Sequence, residues 1–360
     1  MLEHVLNQVQ KPTGVMGTIN HHFREHIWTT EMTTPDPLCL QAHLREMSAL
    51  GAQAVAMEVS SHAINQHRVD EVHFNTVIFT NLTRDHLDYH LNMNSYFEAK
   101  QNLFTDLLWK SKKPSLFAII NIDDSWGAKL RVATNATLWT YGQKSTADFC
   151  FKVLNMNFSR TDFEIKTPLG IQKSFIPLCG VHNVYNAVGV VAAAATVGIP
   201  PLLSLNALRS FPGVPGRLQK ISNNRFLNVF VDYAHSPGAL DSVLKALKQV
   251  QLETKATGKI WTVFGCGGDR DKGKRPEMAK ISGQHSDFVM VTSDNPRTED
   301  PDQIIADIVK GFESGVSSQI MIEKDRKKAI QTVLAKASAG DVILIAGKGQ
   351  KNIIIEVLEK

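Results

Sequence analysis

The chain has 360 residues, of which 43% are hydrophobic and 21% charged, and its formal net charge is +4. That length accommodates two domains with separate cores, and the small, dispersed positive charge excludes the basic blocks that bind nucleic acid while suiting small anionic partners. The four cysteines share no CxxC spacing, so the sequence predicts neither a disulfide framework nor a zinc site.

The first residues, MLEHVLNQVQKP, mix charged and polar side chains, and we predict no signal peptide. The longest uncharged stretch, residues 183–206, is interrupted by Pro200 and Pro201. It predicts a buried helix rather than a membrane span. We therefore expect a cytoplasmic, monomeric protein with no membrane or nucleic-acid partner.

Short apolar runs alternate with longer segments whose apolar residues recur at helical spacing. The predicted strands are AQAVAMEV (52–59), FNTVIFTN (74–81), LFAIIN (116–121), FLNVFVDYA (226–234), KIWTVFG (259–265), SDFVMVTSD (286–294) and DVILIAGKG (341–349). The predicted helices between the later strands are PGALDSVLKALKQV (237–250), PDQIIADIVKGF (301–312) and DRKKAIQTVLAKAS (325–338). This alternation predicts an α/β fold class, in which helices cover both faces of parallel sheets.

Two changes in composition divide the chain. From about Thr137 to Leu178, short alternating runs such as DFCFKVLNMNF and DFEIKTPL predict a small antiparallel insert. The segment FPGVPGR (211–217) is rich in proline and glycine, which is typical of a linker. We therefore predict one domain over residues 1–214 and a second over 215–360.

Polar side chains stand where several predicted strands end. They are Glu58, Asn81, Asn121, Asp232 and Asp294. Ligands of open α/β sheets bind at the carboxyl ends of the strands. Each of these residues alone could simply terminate a strand, but together they favour a binding site at that edge.

Three motifs in the first half contain candidate metal ligands. In MEVSSHAINQHRV, Glu58 precedes two serines and could bind Mg²⁺, although a carboxylate that caps a helix is the ordinary interpretation. TNLTRDHLDYH gathers Asp85, His86, Asp88 and His90, either as a functional cluster or as a solvated turn. In YFEAKQNLF, Lys100 lies near aromatic residues on a predicted helix, where a lysine usually extends its ammonium group to solvent.

Three motifs in the second half suit anionic ligands. VDYAHSPGAL places Asp232 and His235 between a strand and a helix that starts at proline. CGGDRDKGKRP combines backbone N–H groups with basic side chains, among them Arg270, and such a nest suits phosphate or carboxylate. In SDNPRTEDP, the planar guanidinium of Arg297 could bind a carboxylate through two hydrogen bonds, or it could be a solvated surface arginine.

In this order, TTPDPL, EVSSHAINQHRV, FTNLTRDHLDYH, YFEAK, PGR, VDYAHSPGAL, FGCGGDRDKGKRP and DNPR resemble the motifs of the Mur ligase family, and within it the members that add diaminopimelate. The resemblance covers nearly the whole chain. It implies a P-loop-type ATPase domain followed by a Rossmann-like domain that binds the amino acid. It also implies an ATP- and Mg²⁺-dependent ligase of peptidoglycan precursor synthesis, with a UDP-N-acetylmuramoyl dipeptide and diaminopimelate as substrates.

The resemblance also implies roles for individual residues. Those implied for the UDP-muramoyl dipeptide are Thr33, Thr34, Ser60, Gln66 and Arg68. The implied magnesium ligands are Glu58, His86 and a carbamylated Lys100. The implied ATP contacts are Asn186, Arg217, Asp232 and His235, and the implied catalytic residues are Lys100, Arg217 and His235. Those implied for diaminopimelate are Arg270, Asp294, Asn295, Pro296, Arg297 and Gly347.

The sequence departs from the family pattern in two places. No GxxxxGK[ST] occurs in the chain, and the family's phosphate loop precedes the helix that here begins MLEHVLNQV, so we expect the loop and the N-terminal uridine-binding domain to be missing and the chain alone to be inactive. Near the other end, GKGQK stands where the family has GKGHE. Lys351 thus replaces a glutamate that binds the amine of diaminopimelate, and the family's last helix is expected to be missing.

Other functions remain as alternatives. A folylpolyglutamate-synthetase-like ligase would share the ATPase core and the acyl-phosphate chemistry, but we would not expect TTPDP or DNPR in it. A dinucleotide-dependent oxidoreductase is disfavoured because no GxGxxG follows a strand. A non-catalytic protein that retains only muramoyl-peptide binding is the alternative outside the enzymes.

Overall fold

The computed structural model describes residues 1–29, 32–312 and 318–347, and it describes Asp88 without its side chain. The substitution at Lys351 lies outside the described residues. The chain folds as two compact units. The N-terminal unit holds residues 1–155, 162–177 and 182–211, and the C-terminal unit holds 156–161, 178–181 and the described residues from 212 onward. The predicted division at residue 214 stays a prediction.

The first half of the chain alternates strands and helices. Its strands are β1 (Thr13–Met16), β2 (His21–Phe23), β3 (His26–Trp28), β4 (Ala54–Met57), β5 (Thr76–Phe79), β6 (Phe117–Asn121), β7 (Thr137–Gly142), β8 (Phe149–Met156), β9 (Thr161–Thr167) and β10 (Gly170–Ile176). Its α-helices are α1 (Leu2–Gln8), α2 (Pro37–Ala49), α3 (Ser61–Asn65), α4 (Leu87–His90), α5 (Met93–Asn102), α6 (Val181–Thr196) and α7 (Pro201–Leu208). Helix α5 continues into a π-helical turn, Leu103–Leu107, and a 3₁₀ turn spans Gly127–Lys129.

Two sheets organise this part of the chain. One has the strand order β3-β2-β1-β4, and the other has the order β10-β9-β8-β7-β6-β5. Strands β1 and β4 are parallel with Met16 opposite Met57, so the residues that follow them, Gly17 and Glu58, come out at the same edge. Strands β5, β6 and β7 are also parallel, and Asn121 ends β6 at the carboxyl edge of its sheet. The predicted parallel α/β architecture is therefore confirmed.

The predicted antiparallel insert is wrong at its start. Strand β7 pairs in parallel with β6 along its length, and in parallel with β8 through Tyr141 and Gly142. Burial changes gradually along β7, because Thr137 and Leu138 are exposed while Tyr141 and Gly142 are buried. The alternating runs that predict the insert, DFCFKVLNMNF and DFEIKTPL, lie in β8 and β9, so they contain no information about how β7 pairs.

A single apolar cluster fills the interior beside β4, β5 and β6. Met16, Val77 and Ile120 from the strands pack there with residues of α2, α3 and α5, and all three are almost completely buried. The helices begin at defined caps, since Asp36 accepts hydrogen bonds from the first turn of α2 and Ser60 accepts one from Ala63 in α3. The caps and the apolar core fix where the chain leaves each strand, and the candidate site lies at these exits.

The C-terminal unit is built on a six-stranded sheet. Its strands are β11 (Gln219–Ile221), β12 (Asn228–Asp232), β13 (Ile260–Phe264), β14 (Phe288–Val291), β15 (Gln319–Ile322) and β16 (Val342–Ala346). Its helices are α8 (Pro237–Glu253), α9 (Lys274–His285), α10 (Pro301–Val309) and α11 (Arg326–Lys336), with a 3₁₀ turn at Lys310–Phe312. The strand order is β11-β12-β16-β13-β14-β15, and all pairs are parallel except β11 with β12.

The two central strands of this sheet, β13 and β16, are buried throughout, as expected for strands that are covered on both faces. Trp261 stacks on Phe288 of the neighbouring strand with ring centroids 3.9 Å apart. The parallel order brings the carboxyl ends of β12, β13, β14 and β16 to one edge. Asp232 ends β12, and the loops that carry Arg270, Asp294 and Gly347 follow the ends of β13, β14 and β16.

The uncharged stretch at 183–206 forms two helices, α6 and α7, separated at Pro200. Helix α6 is largely buried. Among the described residues, no helix combines the length and the apolar character that a membrane crossing requires.

Candidate active site

Glu58 lies at the carboxyl edge of the β1–β4 pair, and its side chain is exposed. Its Oε2 accepts hydrogen bonds from Thr18 N at 3.0 Å and Thr18 Oγ1 at 2.5 Å. A methyl group on the α-carbon of Gly17 would come within 3.1 Å of Glu58 Oε1, so the close approach requires glycine or a shift of the carboxylate. The loop after β1 therefore holds Glu58 in place through Oε2, and Oε1 takes part in neither of these hydrogen bonds.

Thr33 and Thr34 connect this carboxylate to the start of α3. Thr33 Oγ1 lies 3.1 Å from Thr18 Oγ1. Thr34 is fully buried, and its hydroxyl donates to Glu58 O at 2.9 Å and accepts from Ser60 N at 3.1 Å. The three residues predicted for the muramoyl dipeptide in this region are thus joined through Thr34.

Gln66 and Arg68 join the same network from the far end of α3. Arg68 Nη1 donates to Thr34 O at 2.9 Å, and Arg68 Nη2 donates to Gln66 Oε1. Gln66 Nε2 in turn donates to the hydroxyl of Tyr89 at 3.3 Å. The structure therefore brings together all five residues predicted for the muramoyl dipeptide, and Tyr89 is a member that the sequence did not single out.

His86 and Lys100 lie in an aromatic cluster nearby. His86 adopts a left-handed backbone conformation with φ of 56° at the start of α4, and its ring contacts Tyr96 with centroids 5.7 Å apart. Lys100 Nζ lies 5.3 Å from the centre of the Tyr96 ring. His90 stacks on the same ring and bonds to Ser61 Oγ at 2.8 Å. Tyr96 is therefore the common neighbour of the two predicted metal ligands.

The cluster changes the acid–base properties of its members. Burial lowers the pKa of Lys100, and the nearby Asp85 carboxylate opposes that shift. Burial also raises the pKa of Tyr96 to about 12, with a further contribution from Asp85. A lysine whose pKa is lowered is a neutral amine more often at a given pH, and neutral amines are nucleophiles. The ordinary interpretation, in which Lys100 only extends to solvent, does not account for this environment.

A metal ion would need several of these side chains. In the part of the chain that the structure describes, no three His, Cys, Asp or Glu side chains cluster as metal ligands. Glu58 supplies the carboxylate oxygen that Mg²⁺ prefers, whereas the imidazole of His86 is a softer ligand. The predicted set of Glu58, His86 and a carbamylated Lys100 stays a prediction.

In the C-terminal unit, Asp232 is buried at the end of β12. Its carboxylate accepts from Leu218 N at 2.6 Å and Ala234 N at 2.8 Å. Burial raises the pKa of Asp232, whereas these hydrogen bonds and the charges of Arg217 and His235 oppose the rise. Asp232 thus holds the segment that contains Arg217 and the loop that contains His235, so three of the predicted ATP contacts lie together.

Arg217 and His235 are exposed on either side of Tyr233. The guanidinium of Arg217 lies 5.3 Å from the centre of the Tyr233 ring, and the His235 ring lies 5.0 Å from it. The fourth predicted contact, Asn186, is exposed on α6 in the N-terminal unit.

Ion pairs and hydrogen bonds join the segment after β13 to the segment after β14. Arg275 is fully buried and forms ion pairs with Glu299 at 2.9 Å and Asp307 at 3.0 Å. The carboxylate of Asp269 accepts from Thr298 Oγ1 at 2.8 Å. The pKa of Glu299 is lowered to about 2 by its hydrogen bond with Arg275, and the pKa of Asp307 is lowered to about 2, chiefly by Lys310 and also by Arg275. The sequence alone does not indicate this cluster, because Arg275 belongs to the basic run CGGDRDKGKRP, which predicts an anion-binding nest rather than a buried ion pair.

Arg297 lies in the loop after β14. Its Nη1 donates to Gly268 O at 2.6 Å, and its backbone adopts a positive φ of 49°. A methyl group on Gly267 would come within 2.9 Å of Nη1, so glycine there leaves room for the guanidinium. Asn295 O accepts from Gly268 N at 2.9 Å, and Pro296 follows it in the same turn. Arg297 is therefore held by its neighbours, although its side chain is exposed.

Asp294 and Gly347 lie at the ends of β14 and β16. Asp294 Oδ2 is 3.3 Å from the position that a methyl group on Gly347 would take, and Gly347 has a φ of 100°. Both observations favour glycine at this position. Gly347 N donates to Asp232 O at 3.1 Å. Arg270, the remaining predicted contact for the amino acid, is exposed in the loop between Asp269 and Asp271.

Comparison with known proteins defines the class of the chain. The family model of the Mur ligase middle domain matches residues 1–194, and that of the Mur ligase glutamate ligase domain matches residues 216–349. The chain therefore belongs to the Mur ligase family, which comprises ATP-dependent carbon–nitrogen ligases. The resemblance found in the sequence motifs is confirmed.

Two curated relatives and a solved structure that match this chain share one name. The chain is 41% identical to UDP-N-acetylmuramoyl-L-alanyl-D-glutamate–2,6-diaminopimelate ligase of Geobacter sulfurreducens, over 100% of this chain and 73% of the relative. It is 42% identical to the protein of the same name from Synechococcus sp. (strain WH7803), over 100% of this chain and 71% of the relative. A solved structure of a ligase of that name matches with a TM-score of 0.71 and 34% identity, over 99% of this chain and 74% of that one.

Proposed function

We propose that this chain takes part in the ATP-dependent addition of meso-2,6-diaminopimelate to the glutamate carboxylate of UDP-N-acetylmuramoyl-L-alanyl-D-glutamate, a step of peptidoglycan precursor synthesis. The names of relatives at 41–42% identity support this substrate pair. The observation that carries the proposal is the pair of opposite charges, Arg297 and Asp294, in the loop after β14.

The charges of this loop suit the far end of diaminopimelate. That end is itself an amino acid, with a carboxylate and an ammonium group. Arg297 would bind the carboxylate, and Asp294 with the backbone at Gly347 would bind the ammonium group. Asn295 and Pro296 shape the turn, and Arg270 offers a second cation. Lysine carries only an ammonium group at its far end, so Arg297 would disfavour it.

The muramoyl dipeptide would bind at the network around Thr34. Thr33, Ser60, Gln66 and Arg68 present hydroxyl, amide and guanidinium groups, and these suit a peptide that carries carboxylates. Because the groups are already joined by hydrogen bonds around Glu58, little ordering would be needed on binding.

Glu58 and His86 would hold Mg²⁺, which neutralises charge on the transferred phosphoryl group when it is bound. Lys100 would join them as a carbamate. The neutral amine would attack CO₂ at carbon, a C–N bond would form, and one proton would pass to solvent. The lowered pKa of Lys100 supports this step, because it favours the neutral amine. The product is an anion in place of a cation, and its oxygens suit Mg²⁺.

Asn186, Arg217, Asp232 and His235 would contact ATP. An oxygen of the glutamate carboxylate attacks the γ-phosphorus, and ADP leaves with an acyl phosphate formed. The amine of diaminopimelate then attacks the carbonyl carbon, loses a proton, and inorganic phosphate leaves. Arg217 and His235 are exposed and basic in character, so their role would be to bind and orient phosphate oxygens rather than to form covalent bonds.

Isothermal titration calorimetry with each substrate tests the proposal. We expect the 360-residue chain to bind meso-diaminopimelate and UDP-N-acetylmuramoyl-L-alanyl-D-glutamate, each at its own site. Binding of neither would contradict the proposal. Binding of the muramoyl dipeptide without diaminopimelate would instead support a muramoyl-peptide-binding protein. We also propose a cytoplasmic monomer, which sedimentation and cell fractionation would test.

A further inference from the structure

Arg326 lies at the same edge of the sheet as the proposed amino-acid site, but no motif in the sequence drew attention to it. It is the first residue of α11, and its Nη2 donates to Ala346 O at 2.9 Å, at the end of β16. Nη2 is 3.9 Å from the position that a methyl group on Gly347 would take, and Asp294 Oδ2 is 3.3 Å from that same position. The guanidinium and the Asp294 carboxylate therefore both approach Gly347.

Two of the three guanidinium nitrogens of Arg326 are buried without an acceptor. Within the described residues, neither Nε nor Nη1 makes a hydrogen bond. A buried charged donor without a partner destabilises the folded state, so such a group calls for an explanation. Burial lowers the pKa of Arg326, and the Asp294 carboxylate opposes that shift. The cation is thus kept in an unfavourable place, and Asp294 is the acidic group that offsets part of the penalty.

A purely structural explanation accounts for only one nitrogen. The hydrogen bond to Ala346 O ties α11 to β16, and any side chain with one N–H donor of suitable length could make it. That brace requires neither a positive charge nor the donors at Nε and Nη1. The charge and one of the unpartnered donors are explained if Arg326 acts on the carboxylate of Asp294.

We propose that Arg326 is a positioning residue of the amino-acid site, and that it orients the Asp294 carboxylate and the turn at Gly347 toward the ammonium group of the incoming amino acid. This inference rests on the proposed function. One of the free donors, Nε or Nη1, holds one carboxylate oxygen of Asp294 when the amino acid binds, which leaves the other oxygen for the ammonium group.

The test is a double-mutant cycle measured by titration calorimetry with meso-diaminopimelate. Arg326→Gln keeps a donor for Ala346 O but removes the charge, and we expect it to weaken binding about tenfold, the size of a lost charge-assisted contact. Arg326→Lys restores the charge and should recover part of the loss. Asp294→Asn combined with Arg326→Gln should bind about as weakly as Asp294→Asn alone, because Arg326 acts through Asp294.

Arg225→Gln is the matched control. Arg225 donates to Leu334 O and Ala337 O at the other end of α11, so the same substitution removes donors to backbone carbonyls without touching the site. We expect its affinity for diaminopimelate to equal that of the unsubstituted chain. Affinity for the muramoyl dipeptide should be unchanged in every variant.

The outcomes separate this inference from the proposed function. If the unsubstituted chain does not bind diaminopimelate, the proposed function fails. If it binds but Arg326→Gln binds equally well, or if the losses from Arg326→Gln and Asp294→Asn simply add, Arg326 is only a brace and the inference is overturned. Should Arg326→Gln fail to fold by circular dichroism, the same cycle with Arg326→Met, which also removes the charge, decides between the two roles.

Discussion

Substitution of Arg297 by glutamine tests the assignment of the amino-acid site. Nη1 of the guanidinium already donates a hydrogen bond to Gly268 O at 2.6 Å. Nη2 and Nε are left to bind a carboxylate of the ligand. Glutamine retains a polar side chain of intermediate length but loses the charge and the planar pair of donors. The substitution should therefore weaken diaminopimelate binding and leave the fold intact.

The size of the effect follows from the exposure of the side chain. Hydrogen bonds to charged groups are worth about 1.5–3 kcal/mol, and the exposed position of Arg297 places this contact at the lower end of that range. A loss of about 1.5–2 kcal/mol corresponds to a dissociation constant about 10–30-fold higher. The positive φ of 49° is a backbone property that glutamine would share with arginine, so it adds no difference between the two.

Titration calorimetry of meso-diaminopimelate into the chain and its Arg297→Gln variant measures this loss. The thermal unfolding midpoint should be nearly unchanged, and the affinity for the muramoyl dipeptide should be equal in both proteins. An unaltered dissociation constant for diaminopimelate would refute the assignment of Arg297. A variant that binds poorly because it is unfolded would be revealed by circular dichroism.

Four further predictions concern the remaining parts of the structure. Thr34→Val removes the buried hydroxyl that Ser60 N bonds to, so it should lower the free energy of unfolding by about 1–3 kcal/mol in urea denaturation. Arg275→Met should lower the free energy of unfolding most at neutral pH. The difference in stability between this variant and the unsubstituted chain should become smaller between pH 4.5 and about 2. The reason is that Glu299 and Asp307 have ordinary pKa values of 4.5 and 3.8, and they stabilise the fold above those values. They lose this contribution as they protonate near a pKa of about 2 in the folded chain. Urea midpoints of both proteins at pH 7 and pH 3 would measure the loss of stability, and an equal difference between the proteins at both pH values would contradict the ion-pair account. Mass spectrometry in bicarbonate buffer should detect a carbamate on the unsubstituted chain and none on Lys100→Gln, whereas a Lys129→Gln control should keep it. Because no GxxxxGK[ST] occurs in these 360 residues, we expect no substrate-dependent phosphate release from them above background, and release would show that another group takes the role of that loop.

Much of the fold follows from local sequence patterns. Apolar runs such as FAIIN and VILIA predict buried parallel strands, and they form β6 and β16. Helix α8 begins at Pro237 after the Ser236 cap, as the proline-first pattern predicts. These features depend on neighbours in the chain, so the sequence contains the information directly.

Long-range pairings could not be predicted in the same way. The parallel neighbours of β7 are set by the rest of the sheet and not by the residues of β7 itself. Arg275 pairs with residues that are 24 and 32 positions away in the chain. Arg326 bonds to a residue that is 20 positions away. A signal for Arg275 was present, because a buried arginine needs acidic partners and TEDP follows DNPR. For Arg326 no such local signal exists.

The motifs in the sequence predicted several residues that the structure brings together. The residues chosen for the muramoyl dipeptide lie in one hydrogen-bonded network, and Asp232, Arg217 and His235 lie together in the C-terminal unit. The sequence predicted Tyr96 on the same helix face as Lys100, but it did not reveal Tyr89, because an aromatic residue in a helix usually indicates only a core position. The contact of Tyr89 with Gln66 becomes visible only when the chain is folded.

The most direct test of the account is a comparison of two amino acids as ligands of the unsubstituted chain. Meso-diaminopimelate and L-lysine differ at the far end by the carboxylate that Arg297 is proposed to bind. Titration calorimetry under the same conditions should give a dissociation constant for diaminopimelate at least about tenfold lower than for lysine, the factor expected for one charge-assisted contact. Equal affinities, or tighter binding of lysine, would contradict the proposed substrate.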